Sequence, residues 1–65
     1  MKLSGYFNGE HVTFYQDNAG RLIMAYDDGT EERYNEEYYD DDSWYMTIRT
    51  MLTRDGVLDL HETDE

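Results

Sequence analysis

The chain has 65 residues, a formal net charge of −11 at pH 7 and no cysteine. A chain this short forms one domain at most, and without cysteine it forms no disulfide and offers no thiolate to a metal or a substrate. The negative charge disfavours nucleic acids and anionic membrane surfaces as partners and favours a basic protein.

The composition favours a folded chain over a disordered one. Leu, Ile, Val and Phe account for only 11 residues, a low fraction that is typical of disorder when the charge is high. Seven tyrosines, four methionines and one tryptophan supply other material for a core, and proline is absent. No apolar run approaches the roughly 20 residues that span a bilayer, and the first residues lack the apolar region of a secretory signal. We therefore expect a soluble, cytoplasmic protein with a single small domain over residues 1–65.

Turn signals predict antiparallel strands in the first half of the chain. Asn8-Gly9 is typical of a type I′ hairpin turn, because both residues tolerate a positive φ. The predicted register places Phe7 opposite Glu10, Gly5 opposite Val12 and Leu3 opposite Phe14. Residues 17–20 (DNAG) fit the usual three-residue hairpin loop and lead into a third strand, Arg21 to Tyr26. Its predicted register places Phe14 opposite Met24 and Val12 opposite Tyr26.

A further turn predicts a fourth strand. Residues 27–29 (DDG) repeat the loop chemistry and lead to a strand near Thr30 to Asn35, with Tyr34 opposite Leu22. The third strand, RLIMAY, is apolar on both sides and should lie inside the sheet. The second face of the sheet then carries Tyr6, Tyr15, Ile23 and Ala25. Such a patch suits a partner or a second copy of the chain.

From Ser43 the pattern changes to that of an amphipathic helix. Its predicted buried stripe comprises Trp44, Tyr45, Ile48, Met51 and Leu52. Asp42 or Ser43 can cap the start, and Gly56 suits the left-handed position past the end. Residues 57–61 (VLDLH) can add a short strand, and the acidic tail at residues 61–65 should fray. The predicted fold is therefore α+β: an antiparallel β-meander of about four strands, with or without a short fifth C-terminal strand, and one α-helix packed on one face.

The segment DDGTEERYNEEYYDDD, residues 27–42, is the feature most relevant to function. It holds nine carboxylates and one arginine, with three tyrosines among them. Structural roles account for part of the charge, because aspartates at 40–42 suit the positive end of a helix, and Glu31 and Glu32 can guard an edge strand. These roles do not require so many like charges in so short a segment, so a binding role is the stronger hypothesis.

A rigid row of carboxylates can imitate the backbone of DNA. Carboxylates two residues apart on a strand are separated by about 6.6 Å, and duplex DNA carries one charge per approximately 1.7 Å of axis. Surfaces rich in arginine that hold phosphates also fit carboxylates. The segment therefore predicts competition for a nucleic-acid-binding site, with neighbouring rings adding anchoring area.

Rings and one methionine near this segment add to the predicted contact surface. Tyr34 and the rings of the helix stripe are assigned to the core. Tyr38 and Tyr39 lie in the predicted connector, where at least one should be exposed, and Met46 projects away from the helix stripe. The predicted partner-binding residues are Asp27, Asp28, Glu31, Glu32, Glu36, Glu37, Tyr38, Tyr39, Asp40, Asp41, Asp42 and Met46.

No catalytic or cofactor motif accompanies these residues. An EF-hand loop needs oxygen ligands at fixed offsets from a glycine, but counting back from either nearby glycine places Met24 or Tyr15 in the first ligand position. His11 and His61 lie far apart without ligand spacing, and neither a glycine-rich phosphate loop nor a nucleophile elbow occurs. We expect a protein that is not an enzyme and that uses no cofactor and no metal site.

In its size, its lack of cysteine, the cluster DDGTEERYNEEYYDDD and its sheet-plus-helix pattern, the chain resembles small phage-encoded inhibitors that imitate DNA, including anti-CRISPR proteins and uracil-DNA glycosylase inhibitors. The resemblance is one of class: these inhibitors share no motif, and no functional residue is carried over. It implies a basic nucleic-acid-binding protein or complex as partner, bound without catalysis in the cytoplasm of a bacterial host. A crRNA-guided CRISPR-Cas surveillance complex is the favoured target, because such complexes expose long basic channels.

Other functions fit the same sequence. Restriction enzymes and uracil-DNA glycosylase are rival targets for an acidic inhibitor. A homodimeric structural or interaction module, paired through Tyr6, Tyr15 and Ile23, would use its acidity for solubility alone. A calcium-stabilised domain is a further alternative. We expect no direct contact with nucleic acid or a membrane, and both a monomer and a homodimer stay open.

Overall fold

Five strands form one sheet, and a helix packs on one of its faces. The computed structural model describes residues 2–40 and 44–63, apart from the side chains of residues 44 and 45. The elements are β1 (Lys2–Phe7), β2 (Glu10–Gln16), β3 (Arg21–Tyr26), β4 (Glu31–Tyr38), α1 (Trp44–Arg54) and β5 (Leu58–Thr63). The strands follow the order β4-β3-β2-β1-β5 with antiparallel pairing throughout. This confirms the predicted α+β class, the meander and the fifth strand.

Local turn chemistry sets the registers of β1, β2 and β3. Asn8 (φ 54°) and Gly9 (φ 82°) both adopt the left-handed region, as a type I′ turn requires. The Asp17 carboxylate accepts hydrogen bonds from the N–H groups of Ala19 and Arg21, each at 2.9 Å, and so orders the second loop. The predicted pairs Leu3–Phe14, Gly5–Val12, Phe7–Glu10, Phe14–Met24 and Val12–Tyr26 are all confirmed.

The first half of β4 follows the predicted register. Ala25 lies opposite Glu31, and Ile23 lies opposite Arg33. This is the alignment that the turn at residues 27–29 predicts, because the Tyr26 N–H closes that turn by donating to the Thr30 carbonyl at 2.8 Å. The predicted pair of Tyr34 with Leu22 would be the next step along this ladder. The register shifts at this point, between Ile23 and Arg21.

The second half of β4 departs from the prediction. Arg21 lies opposite Tyr38, so β4 gains three residues on β3 between this pair and the last regular one. Just beyond the strand, the Tyr39 N–H donates to the Gly20 carbonyl at 2.9 Å. The predicted end of the fourth strand near Asn35 is wrong, because these contacts keep the chain paired as far as Tyr38. Tyr38 therefore belongs to a strand and not to a connector.

The core lies between the sheet and α1. Its fully buried side chains are Leu3, Val12, Phe14, Leu22, Ile48 and Leu52, with Met24 and Val57 nearly as deep. Every second residue of a strand faces the same side, and helix residues four apart share one face, so both periods bring apolar side chains to this layer. The predicted helix stripe is confirmed at Ile48 and Leu52, and Met51 is half-buried at its margin. The stripe positions 44 and 45 and the predicted caps at 42 and 43 lie outside the described side chains.

A glycine turn ends α1 and directs the chain into β5. Gly56 has a φ of 100°, the left-handed conformation predicted for the position past the helix. Its N–H donates to the Thr53 carbonyl at 3.1 Å, and the Val57 N–H donates to the Leu52 carbonyl at 3.0 Å, the two bonds of a Schellman motif. Residues 61–63, which we expected to fray, instead continue β5 along β1.

The close approach of β5 to β1 depends on Gly5. A Cβ atom at this position would lie 2.8 Å from the Leu58 carbonyl oxygen and 3.0 Å from Cγ1 of Val57. Contacts of this length would force β5 to shift, so a residue without a side chain is needed here.

One face of the sheet is covered by α1. We call the opposite face, away from the helix, the open face. The open face carries Tyr6, Tyr15, Ile23 and Ala25, as predicted, because these residues alternate along their strands with the core residues. Lys2, Ser4, His11 and Thr13 lie beside them.

Candidate partner-binding site

The acidic segment forms one outer edge of the sheet. β4 is the last strand on its side, and the turn at residues 27–29 precedes it. We call residues 27–38 the acidic edge. Its carboxylates, all exposed, are Asp27, Asp28, Glu31, Glu32, Glu36 and Glu37. Asp40 is also exposed, whereas Asp41 and Asp42 lie outside the described residues.

The pleat of β4 sends neighbouring carboxylates to opposite sides of the sheet. Glu31 lies towards the open face, where its carboxylate accepts a hydrogen bond from the Tyr15 hydroxyl at 2.8 Å. Glu32 lies towards the helix-covered side and accepts one from the Tyr26 hydroxyl at 3.2 Å. The bond to Glu31 raises the pKa of Tyr15, and partial burial together with Glu32 raises the pKa of Tyr26. The carboxylates therefore line an edge and do not form one flat face.

Two arginines partly neutralise Glu36. The Glu36 carboxylate lies 3.3 Å from Nη1 of Arg21 and 3.5 Å from Nη1 of Arg33. Nη1 of Arg21 also donates to the Glu36 carbonyl at 2.7 Å. The Arg21 side chain is only 17% exposed, so it ties the irregular part of β4 to the sheet more than it offers charge to solvent.

Tyr38 presents an aromatic ring beside these carboxylates. The guanidinium of Arg21 lies 4.0 Å from the centre of the Tyr38 ring, and its Nη2 donates to the Tyr38 hydroxyl at 2.8 Å. Tyr38 is nevertheless 64% exposed. Its ring is thus held in place by Arg21 on one side and accessible to a partner on the other. This agrees with the prediction that at least one of Tyr38 and Tyr39 is exposed.

The two aspartates of the turn have local partners. The Asp27 carboxylate lies 2.8 Å from Nδ1 of His11 on the neighbouring hairpin. The Asp28 carboxylate accepts a hydrogen bond from the Thr30 N–H at 2.9 Å, and this bond lowers the pKa of Asp28. Both carboxylates stay exposed, so they add charge to the acidic edge while they order its first turn.

Glu37 differs from its neighbours. Its N–H donates to the Asn35 side-chain oxygen at 3.1 Å, but within the described ranges its carboxylate has no hydrogen-bond or ion-pair partner. An exposed carboxylate without a partner is available to a cation from another molecule. Glu37 is therefore the best single position for testing contact at this edge.

Tyr39 and Met46 are placed differently from the other predicted contact residues. Tyr39 is half-buried against the core, where its hydroxyl accepts a hydrogen bond from Nδ2 of Asn35 at 2.9 Å and donates to Sδ of Met51 at 3.4 Å. The Gln16 side chain also donates to the Tyr39 carbonyl. Met46 is 69% exposed on α1 and lies outside the acidic edge. Tyr39 thus has a structural role, and Met46 is an exposed apolar side chain on a separate element.

Sequence reasoning missed Arg21 and Leu58. Arg21 donates hydrogen bonds to both Glu36 and Tyr38. The three-residue shift of β4 on β3 that places these residues near Arg21 leaves no local signal in the sequence. Leu58 is 65% exposed and lies opposite Tyr6, itself 45% exposed, near the margin of the open face. The alternation of side chains along a strand predicts that Tyr6 and Leu58 lie together only if the register between β1 and β5 is known, and the sequence does not give that register.

Comparison of the chain with protein-family models, curated proteins and solved structures gives no match. Within the part of the chain that the structure describes, no three side chains of His, Cys, Asp or Glu are grouped as a metal ion requires. In the same residues no helix has the length and apolar content needed to cross a membrane. The chemistry of the acidic edge is therefore the basis for a functional proposal.

Proposed function

We propose that this protein is a non-catalytic inhibitor that binds the basic nucleic-acid-binding surface of another protein and keeps the nucleic acid out. The observation that supports this most is the acidic edge, where six exposed carboxylates follow one strand and its turn. This function involves no catalytic residue, no cofactor and no direct contact with nucleic acid.

The acidic edge offers charge in an ordered arrangement. Side chains on one side of a strand recur about every 6.6 Å, and carboxylates on both sides of the edge raise the density further. Guanidinium groups bind carboxylates and phosphates through the same paired hydrogen bonds. Because the net charge is −11, attraction at long range also favours a basic partner and accelerates its association.

Bacterial complexes with long basic channels are the first targets to test, and a crRNA-guided CRISPR-Cas surveillance complex leads them. The protein is used to capture proteins from a bacterial lysate at low salt, and each captured protein is then assayed for binding to a fluorescent DNA duplex. We expect release by a salt gradient and displacement of the duplex in proportion to the protein added. A captured nucleic-acid-binding protein that still binds its duplex with this protein attached would contradict the proposal.

A pair of matched double variants tests whether the acidic edge makes the contact. Glu31→Gln with Glu37→Gln removes two charges from the edge, and Asp59→Asn with Glu62→Gln removes two exposed charges from β5, at the opposite end of the sheet. We expect the edge variant to weaken binding to the captured target by about tenfold and the remote variant by less than about threefold, since contact charges matter more than distant ones. Equal losses, measured by titration at one salt concentration, would show that charge acts without a localised site.

The exposed pair Tyr6 and Leu58 favours a second function, a homodimeric interaction module. These two exposed side chains lie opposite each other at the margin of the open face, where the Tyr6 ring also meets the His11 ring edge-on, with 5.3 Å between their centres. Repulsion between two chains of this charge opposes such pairing at low salt. Sedimentation over a concentration series decides between the functions: a tight dimer without affinity for basic proteins would favour the module.

A further inference from the structure

The backbone of β4 has hydrogen-bonding groups that point away from the sheet. The Tyr26 N–H donates to the Thr30 carbonyl, so these two residues form a hydrogen-bonded pair. In an antiparallel ladder such pairs alternate with pairs whose peptide groups face outward. The next outward residues of β4 are Glu31, opposite Ala25, and Arg33, opposite Ile23.

These outward groups have no partner among the described residues. β4 is the end strand of the sheet, and no hydrogen bond from the residues that the structure describes reaches the N–H or C=O of Glu31 or Arg33. Unpaired groups along a sheet edge are a template for a further strand.

Side chains on both sides of this template are acidic. Glu31 lies on the open side and Glu32 on the helix-covered side, and Glu36 and Glu37 follow along the strand. A partner on either face would meet only part of this charge. A partner that approaches along the edge meets carboxylates on both sides at once.

We propose that β4 binds an extended basic segment of its partner, which adds to the sheet as a sixth strand. This inference rests on the proposed function, which supplies the basic partner, and it adds that backbone pairing at Glu31 and Arg33 positions that partner. Opposite charges on adjacent strands stabilise pairing, and like charges oppose it. The edge therefore rejects a second copy of β4 and accepts a strand with Lys or Arg opposite Glu31 and Glu32.

The structure also limits the length of the pairing and its side-chain pattern. The three additional residues of β4 interrupt the regular edge beyond Arg33, so the paired stretch is short. Arg33 itself disfavours a cation directly opposite, so the bound segment has a neutral or acidic residue there. Charge supplies most of the attraction, and the backbone bonds fix the register.

The experiment uses two variants and two peptides. Arg33→Pro and Arg33→Ala remove the same charge, but only proline removes the outward N–H, and proline is tolerated on an edge strand at such a position. The probe is a synthetic peptide of about eight residues, extended, proline-free and with arginines on both sides. Its control is the same peptide with N-methyl groups on alternate backbone nitrogens, which keeps the charge and blocks strand pairing.

We expect Arg33→Pro to bind the unmodified peptide about tenfold more weakly than Arg33→Ala, and the wild-type protein to bind the N-methylated peptide about tenfold more weakly than the unmodified one. Amide exchange should slow at Glu31 and Arg33 when the unmodified peptide binds, and not in β5. Amide spectra of the free variants establish that both are folded, and if Arg33→Pro is not, the two peptides on the wild-type protein decide alone.

The outcomes separate this inference from the function on which it rests. Equal binding of the two peptides, or of the two variants, would overturn the sixth strand and leave the acidic inhibitor intact. If neither peptide binds the wild-type protein even at low salt, both the sixth strand and the basic partner are overturned.

Discussion

Tyr34 shows how one side chain can join three parts of this molecule. Its ring meets the Phe14 ring edge-on, with 5.6 Å between centres, and the Phe7 ring at 6.1 Å. Its hydroxyl donates to the Asp55 carboxylate at 2.8 Å, just past the end of α1. The sequence predicted that the ring is part of the core, but it held no signal for the hydroxyl bond, because Asp55 lies 21 positions away.

Replacing Tyr34 by Phe tests that bond. The ring stays, and the hydrogen bond to a charged acceptor is lost, so we expect the free energy of unfolding to fall by about 1 kcal/mol. Tyr6→Phe is the matched control, because the Tyr6 hydroxyl has no hydrogen bond among the described residues, and its effect should be close to zero. Urea denaturation measures both, and equal effects would contradict a role for the Asp55 bond.

The same tyrosine predicts a loss of stability in alkali. Burial, with the neighbouring Asp55, raises the pKa of Tyr34 well above its ordinary value of 10.0. Above pH 10.0 the unfolded chain loses the Tyr34 hydroxyl proton while the folded chain keeps it. The free energy of unfolding therefore falls as the pH rises. Urea midpoints at about pH 9 and about pH 11 should differ less in Tyr34→Phe than in the wild type. Tyr15 and Tyr26, whose pKa values are also raised, keep some of the dependence in both.

Among the elements, the hairpins were predictable and the end of β4 was not. Asn8-Gly9 and the loops at residues 17–20 and 27–29 fix their registers by local chemistry, so pairs such as Phe14–Met24 follow from the sequence. At the irregular end of β4, Arg21 of the neighbouring strand donates hydrogen bonds to the Glu36 carbonyl and the Tyr38 hydroxyl. A contact of that kind has no periodic trace in the sequence.

Removing the Arg21 side chain should therefore loosen the second half of β4 alone. In Arg21→Ala we expect faster amide exchange at Tyr38 and Tyr39, because the bonds to Glu36 and Tyr38 are lost, and unchanged exchange in β1 and β2. Arg33→Ala is the control, since it removes an equal charge whose bridge to Glu36 is exposed and of little energetic weight. Similar exchange in the two variants would show that the irregular stretch does not depend on Arg21.

At the scale of the whole molecule, charge and packing oppose each other. A small core stabilises the fold, and the acidic residues far outnumber the five basic ones. The sequence predicted the fold class and the acidic segment. The predicted contact surface did not take into account the alternation of side chains along β4, which sends Glu31 and Glu32 to opposite sides of the sheet.

Salt should have opposite effects on stability and on binding. Screening weakens the repulsion within the folded chain, so we expect the melting temperature to rise between about 0.01 M and about 1 M sodium chloride. Over the same range the affinity for a basic partner should fall. Glu37→Gln, which removes a carboxylate without a described partner, should reduce the rise in melting temperature. A melting temperature that falls with salt would show that ion pairs outweigh repulsion.

The pairing of Lys2 with Thr63 has a practical consequence for handling the protein. Lys2 lies on β1 and Thr63 on β5. β1 is separated from β4 by three inter-strand spacings, or about 14 Å, and β5 lies one spacing further away. A fluorescent label attached to the side chain at either of these two positions would therefore lie on the side of the sheet remote from β4.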